Sequence, residues 1–174
     1  MSITIPDGYN TINPFIITTD ALTFIKFLET VFEANERPEA HTSDTDGLLL
    51  HAELVIGNSV VMVADRKEGW PFTPSLLQVY VNDLAATLQR AEAQGARIVT
   101  QPTEVYGDLF SRFVDPWDNL WWVYQHQEAF VWEEYADGEA EASWAAEASW
   151  ATESNELQYI HETLLQTMKG LGKK

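Results

Sequence analysis

The sequence predicts an α+β fold: two paired βαβββ units forming a curved mixed sheet around a cleft, followed by a C-terminal helical appendage. Three observations predict it. A strand, helix, strands pattern runs from about residue 9 to 65 and again from about 74 to 127. Landmarks in the two passes, Asp20 with Asp83 and the turns before Ser59 and Asn119, lie about 60 residues apart, the sign of a duplicated supersecondary unit. Beyond residue 127 the composition changes abruptly. One unit cannot bury a sheet face alone, so the two should pair into one curved sheet enclosing a cleft, with the helices outside and function in the cleft.

Taken in order, Asn13 to Thr18 is a short apolar, β-branched run, and Thr19 or Asp20 can cap the helix that follows. That helix carries Leu22, Phe24, Ile25, Phe27, Leu28, Val31 and Phe32 at helical spacing, a wide apolar stripe suited to a core. His51 to Ile56 and Ser59 to Ala64 alternate around Gly57-Asn58, a dipeptide that supplies the positive φ of a tight hairpin turn. The second pass starts with the strand Leu76 to Val81. Asn82 or Asp83 then caps a helix bearing Leu84, Leu88 and Ala91 and closed by Gly95. Strands follow near Arg97 to Thr100 and Leu109 to Val114, then the turn Asp115-Pro116-Trp117-Asp118-Asn119 and the strand Leu120 to Gln125.

Residues 128–174 form the appendage. Between Arg112 and Lys169 there is no Lys or Arg, while glutamates accumulate. The near-repeat at Ala142 to Glu147 and Ala148 to Glu153 places Trp144 and Trp150 six residues apart, which is neither a helix face nor a strand face. An irregular or weakly helical linker fastened by its tryptophans is expected there. Ser154 or Asn155 can then cap an amphipathic helix with Leu157, Ile160, Leu164, Leu165 and Met168 in one stripe, closed by Gly170. The stripe needs a partner, and a second subunit is the first expectation, with the parent domain or another protein as alternatives.

The chain has 174 residues, 45% hydrophobic, ample for a packed core. A formal charge of −17 repels phosphate backbones and anionic membranes, so nucleic acid and membranes are excluded as partners. No run reaches the roughly 18 apolar residues of a membrane span, and Met1 to Thr4 lacks a signal-like start, so a cytoplasmic address is expected. With no cysteine, disulfides, thiolate zinc sites and cysteine nucleophiles are out. No glycine-rich phosphate loop or nucleophile elbow occurs, which argues against nucleotide-dependent and serine hydrolase chemistry.

Ile5 to Thr11, Asp20, His51 to Ser59, Val81-Asn82-Asp83, Tyr106-Gly107-Asp108 and Asp115-Pro116 stand in an order that resembles the PhnB-like branch of the vicinal oxygen chelate (glyoxalase/bleomycin resistance/dioxygenase) superfamily. The resemblance covers about Ile5 to His126. It implies a homodimer of paired βαβββ units whose cleft in many members holds a divalent metal. At the positions where such members place ligands this chain has Asn13, Leu76 and Trp122, and Asn10 replaces the histidine common after Tyr9 in the PhnB-like branch. No metal and no cofactor is therefore expected. His51 and Glu53 share a strand face and remain the two residues around which a rearranged metal site is conceivable. The candidate ligand-binding residues are His51, Glu53, Gln78, Tyr80, Arg112, Trp122 and Tyr124. Bland alternatives stand beside them: a salt bridge for Arg112, cross-strand polar contacts for His51 and Glu53, and cavity filling by Trp122 and Tyr124. Trp70-Pro71-Phe72, between the units, could cover the cleft or pack at a dimer contact.

The function expected is metal-independent binding of a small molecule, sequestering a cationic or aromatic compound in a resistance-type role. The alternatives are a metal-dependent lyase, dioxygenase or thiol transferase with a rearranged site, and a protein-interaction module acting through the acidic C-terminal region. Whether the protein is an enzyme stays open.

Overall fold

The computed structural model describes residues 4–127 and 154–172. The first unit contains β1 (Phe15–Thr18), α1 (Ala21–Phe32), the two-residue strands β2 (Asn35–Glu36) and β3 (Thr42–Ser43), and the hairpin β4 (Leu49–Ile56) and β5 (Ser59–Asp65). The second contains β6 (Leu76–Tyr80), α2 (Leu84–Ala93), β7 (Arg97–Val105), β8 (Asp108–Val114) and β9 (Leu120–His126), and α3 (Asn155–Gly170) follows. Strands run β1-β5-β4-β2 in the first sheet, where β3 also pairs with β4, and β6-β9-β8-β7 in the second. In both units the opening strand lies parallel to the closing one, so the repeat predicted from landmark spacing is a repeat of topology.

The local reasons are mostly those the sequence offers. Ile56 faces Ser59 across the two-residue turn, with Gly57 at φ +58°. The Asp83 carboxylate caps α2 by accepting from Ala86 N at 2.9 Å. Asp20 caps α1, and a second carboxylate, buried Asp65, accepts from Ala21 N at 2.9 Å and Leu49 N at 2.8 Å, tying helix to sheet. The Asp-Pro turn is built around buried Asp115, which accepts from the backbone of Trp117 and Asn119, from Asn119 Nδ2 and from Trp121 Nε1. Leu22, expected on the buried stripe, is exposed instead; the stripe is completed by Ala21.

The helix layer differs from expectation. Phe24, Phe27 and Phe32 of α1 meet Trp117, Phe113 and Trp121 of the second unit at centroid distances of 5.1, 6.2 and 4.7 Å. Arg90 of α2 donates to Val31 O at the end of α1. Both helices thus lie inside, in one core bounded by Ala52, Leu54 and Val63 of the first sheet and Phe113, Trp121 and Val123 of the second. The physical reason is that α1 is apolar around most of its girth and has two sheets to satisfy. Each sheet turns its other face outward.

Ser154 caps α3 as expected, its Oγ accepting from Leu157 N at 3.1 Å. The helix docks on the parent domain, beside β7, on the outward face of the second sheet. It does so through Tyr159, Ile160, Thr163 and Thr167 rather than along the whole leucine stripe, and Leu165 and Met168 remain exposed. Trp144, Trp150 and the acidic stretch around them lie outside the described residues.

Candidate functional site

The candidate residues fall into two groups on the two outward faces. On the first sheet, alternation along β4 puts His51 and Glu53 together, as expected. Glu53 is 6% exposed and fully engaged. Tyr9 Oη donates to it at 2.7 and 2.8 Å, Arg37 Nη1 at 3.0 Å, and His51 Nε2 lies 3.3 Å from Oε1. Burial pushes the Glu53 carboxyl up, but the hydrogen bonds from Tyr9, His51 and Arg37 and the Arg37 charge outweigh it and leave the group below its ordinary range. The same contact with Glu53 raises the Tyr9 phenol. Arg37 also lies over the Tyr9 ring at 4.9 Å and donates to Gly8 O. Gly8 has φ +80°, and a Cβ there would come within 2.8 Å of Arg37, so this position needs glycine. The cluster is an ionised carboxylate saturated by donors, which is the cross-strand polar role weighed for His51 and Glu53 from sequence. Tyr9 and Arg37 were not among the sequence candidates; Tyr9 stood in the quoted opening motif, and nothing in the sequence flagged Arg37.

On the second sheet the register brings the other five candidates into two adjacent rows. Gln78, Trp122, Arg112 and Thr100 are successive cross-strand partners, and Tyr80, Tyr124, Phe110 and Thr103 form the next row. Trp121 and Val123 point to the core, as alternation along β9 predicts. Tyr80 and Phe110 lie tilted against Tyr124, with ring centroids 5.4 and 4.8 Å away. Burial, more than any neighbouring charge, raises the Tyr124 phenol, so it stays neutral at physiological pH. Gln78 is exposed at the rim of a crevice of about 350 Å³ that reaches Leu77 and Trp121.

Arg112 is the unusual member. It is 1% exposed, its guanidinium lies 4.2 Å from the Trp122 ring centroid and 4.7 Å from that of Phe110, and Nη1 donates to Ile160 O of α3 at 2.8 Å. Burial lowers the guanidinium pKa to about 10, so it is charged at neutral pH. The salt bridge expected for it is not formed: among the described residues no carboxylate lies within ion-pair distance. Arg112 Nε and Trp122 Nε1 are both buried and have no acceptor among the described residues. Sequence reasoning named these residues but had no signal that the cation would meet a backbone carbonyl and aromatic rings rather than a carboxylate among the described residues.

A family model described as the glyoxalase/bleomycin resistance protein/dioxygenase superfamily matches residues 10–123. The chain belongs to this superfamily. Uncharacterized proteins of Mycobacterium bovis and Mycobacterium tuberculosis are 30% identical over 122 residues, 63% of this chain and 79% and 71% of theirs. Among solved structures, a Pseudomonas aeruginosa protein matches at TM-score 0.56 with 18% identity, covering 68% of this chain and 99% of that one. TioX from Micromonospora matches at 0.52 with 24% identity, over 66% and 98%. A fosfomycin resistance protein of Listeria monocytogenes, solved with Mn(II) and sulfate, matches at 0.53 with 15% identity, over 68% and 91%. At these identities the solved structures show a shared fold.

The superfamily's divalent metal does not fit the residues present. Asn13 spends its amide on the Asn10 backbone, accepting from Asn10 N and donating to Asn10 O. Leu76 has no donor atom, and the Trp122 indole lies under a guanidinium. His51 and Glu53 are next to the Arg37 cation, and among the described residues no three His, Asp or Glu side chains gather as a metal cluster.

Proposed function

We propose that this protein is a metal-independent small-molecule binding protein of the bleomycin-resistance type, sequestering an aromatic compound on the outward face of its second sheet. The observation that carries this reading is the Gln78, Trp122, Arg112 and Tyr80, Tyr124, Phe110 rows: stacking surfaces with a few polar groups, and no metal ligands among them. Of the cationic and aromatic ligands considered from sequence, the aromatic one suits this face, because the buried Arg112 charge opposes a second cation beside it.

Gly8-Tyr9, with the order of the later motifs, supports a place in the PhnB-like branch. A homodimer in the cytoplasm belongs to the same reading. Within one chain the outward faces look away from a shared core, so a cleft bounded by both requires a second copy. Among the described residues no helix is long and apolar enough to cross a membrane.

The test is thermal melting of chelator-dialysed protein against neutral, cationic and anionic fused-ring aromatics, in the wild type and Trp122→Ala. A rise in Tm without metal that disappears in Trp122→Ala is the expected result. A rise that requires added Mn(II), Zn(II) or Ni(II) would replace this reading with a rearranged metal site.

A further inference from the structure

A buried guanidinium without an anion is a costly arrangement, since its desolvation is repaid only by well-placed acceptors. Arg112 has one good acceptor, Ile160 O, and a weak contact with Thr100 Oγ1 at 3.4 Å. Among the described residues its Nε and the adjacent Trp122 Nε1 face no acceptor. A single neutral backbone carbonyl thus holds a place where a carboxylate would pair its charge with the guanidinium and offer two acceptor oxygens.

The element that supplies this carbonyl is held lightly. Among the side chains of α3 only Thr167 is buried, while Leu165 and Met168 are 47% and 44% exposed. The specific contacts are polar: Thr163 with Thr100 at 2.8 Å, Tyr159 Oη accepting from Gln101 N at 2.9 Å, and the Arg112 bond itself. The family match ends at residue 123, so α3 is an addition to the shared domain.

We propose that the Arg112–Trp122 site takes an aromatic carboxylate, and that α3 is a built-in cover over it whose Ile160 carbonyl stands in for a ligand oxygen and is displaced when the carboxylate binds. This deepens the aromatic-binding reading above and rests on it. The carboxylate pairs with the buried guanidinium, the ring stacks in the row of Trp122, Phe110 and Tyr124, and the helix leaves Arg112 with no loss of hydrogen bonding, because a stronger acceptor replaces a weaker one.

Full-length protein suffices for the test, with 2-naphthoate, 2-naphthylmethanol and 2-naphthylmethylammonium as probes in calorimetric titrations. Naphthoate should bind about tenfold or more tighter than the alcohol, and Arg112→Met should remove that preference. The chain has no cysteine, so T100C/T163C places a single disulfide where two hydroxyls now sit 2.8 Å apart. The oxidised double variant, with α3 pinned, should bind naphthoate at least about tenfold more weakly than the same protein reduced. Equal binding of naphthoate and alcohol would overturn the carboxylate while leaving aromatic binding intact. Equal affinity of oxidised and reduced forms would overturn the cover, and binding of none of the three probes would remove both readings.

Discussion

Replacing Arg112 by methionine separates stability from function at one residue. The guanidinium is buried without a carboxylate, and an apolar side chain of similar length needs no partner, so Arg112→Met should be more stable than wild type by about 1 kcal/mol in urea unfolding. Glu53 should behave in the opposite way, because all its donors are in place: Glu53→Gln should lose about 1–3 kcal/mol at neutral pH. The pH dependence follows from the lowered carboxyl. A depressed native pKa stabilises fully above the ordinary value of 4.5 and is lost as pH falls through the native value. The gap in Tm between wild type and Glu53→Gln should therefore be widest near neutrality and close in acid. At this scale the sequence was informative about which residues share a strand face and silent about their partners. His51 and Glu53 follow from period-two alternation, but Arg37 comes from a turn region that carries no pattern. Among the described residues no carboxylate stands beside Arg112, a spatial relation that no local window of sequence records.

Among the elements, the two helix caps differ in what surrounds them. Asp83 is an exposed cap on α2, and Asp83→Ala should cost about 1 kcal/mol. Asp65 is buried and serves donors on α1 and β4 together, so Asp65→Ala should cost about 2–4 kcal/mol by orphaning Ala21 N and Leu49 N. Chemical denaturation of both variants measures the difference. The long elements were legible because their apolar periods are strong, as in α1 and the β4–β5 hairpin. β2 and β3 were not, since Asn35-Glu36 and Thr42-Ser43 are two-residue polar strands with no alternation to detect. β7 runs beyond Thr100 because Pro102 sits in the register shift between Thr100 and Thr103, where its missing N–H breaks no ladder bond. α3 was expected to bury its leucine stripe; β7 instead offers Thr100 and a free Gln101 N–H, and the threonine and tyrosine side of the helix answers them.

For the whole molecule, the duplicated topology followed from landmark spacing, but the position of the helices did not. Periodicity shows that α1 has an apolar stripe; it does not show that a second sheet waits on the far side of it. With both helices inside, the outward faces carry Phe15, Leu76 and Tyr80 exposed at 51%, 52% and 58%. Apolar exposure of this kind is expected to be covered by a second copy. Sedimentation equilibrium should find a dimer, and Leu76→Glu should shift it toward monomer without unfolding the chain. Metal chelation should leave both dimer and fold unchanged.

Binding of an aromatic ligand at Trp122 without a metal, as proposed above, is open to direct measurement. The most direct measurement is the indole N–H spectrum of ¹⁵N-labelled protein in chelator, with the Trp122 resonance assigned by Trp122→Phe and followed as naphthoate or naphthylmethanol is added. A saturable shift of the Trp122 resonance in the absence of any divalent ion is the expected result. A Trp122 resonance that stays in place until a divalent ion is supplied, or that never moves while other indoles do, would contradict it.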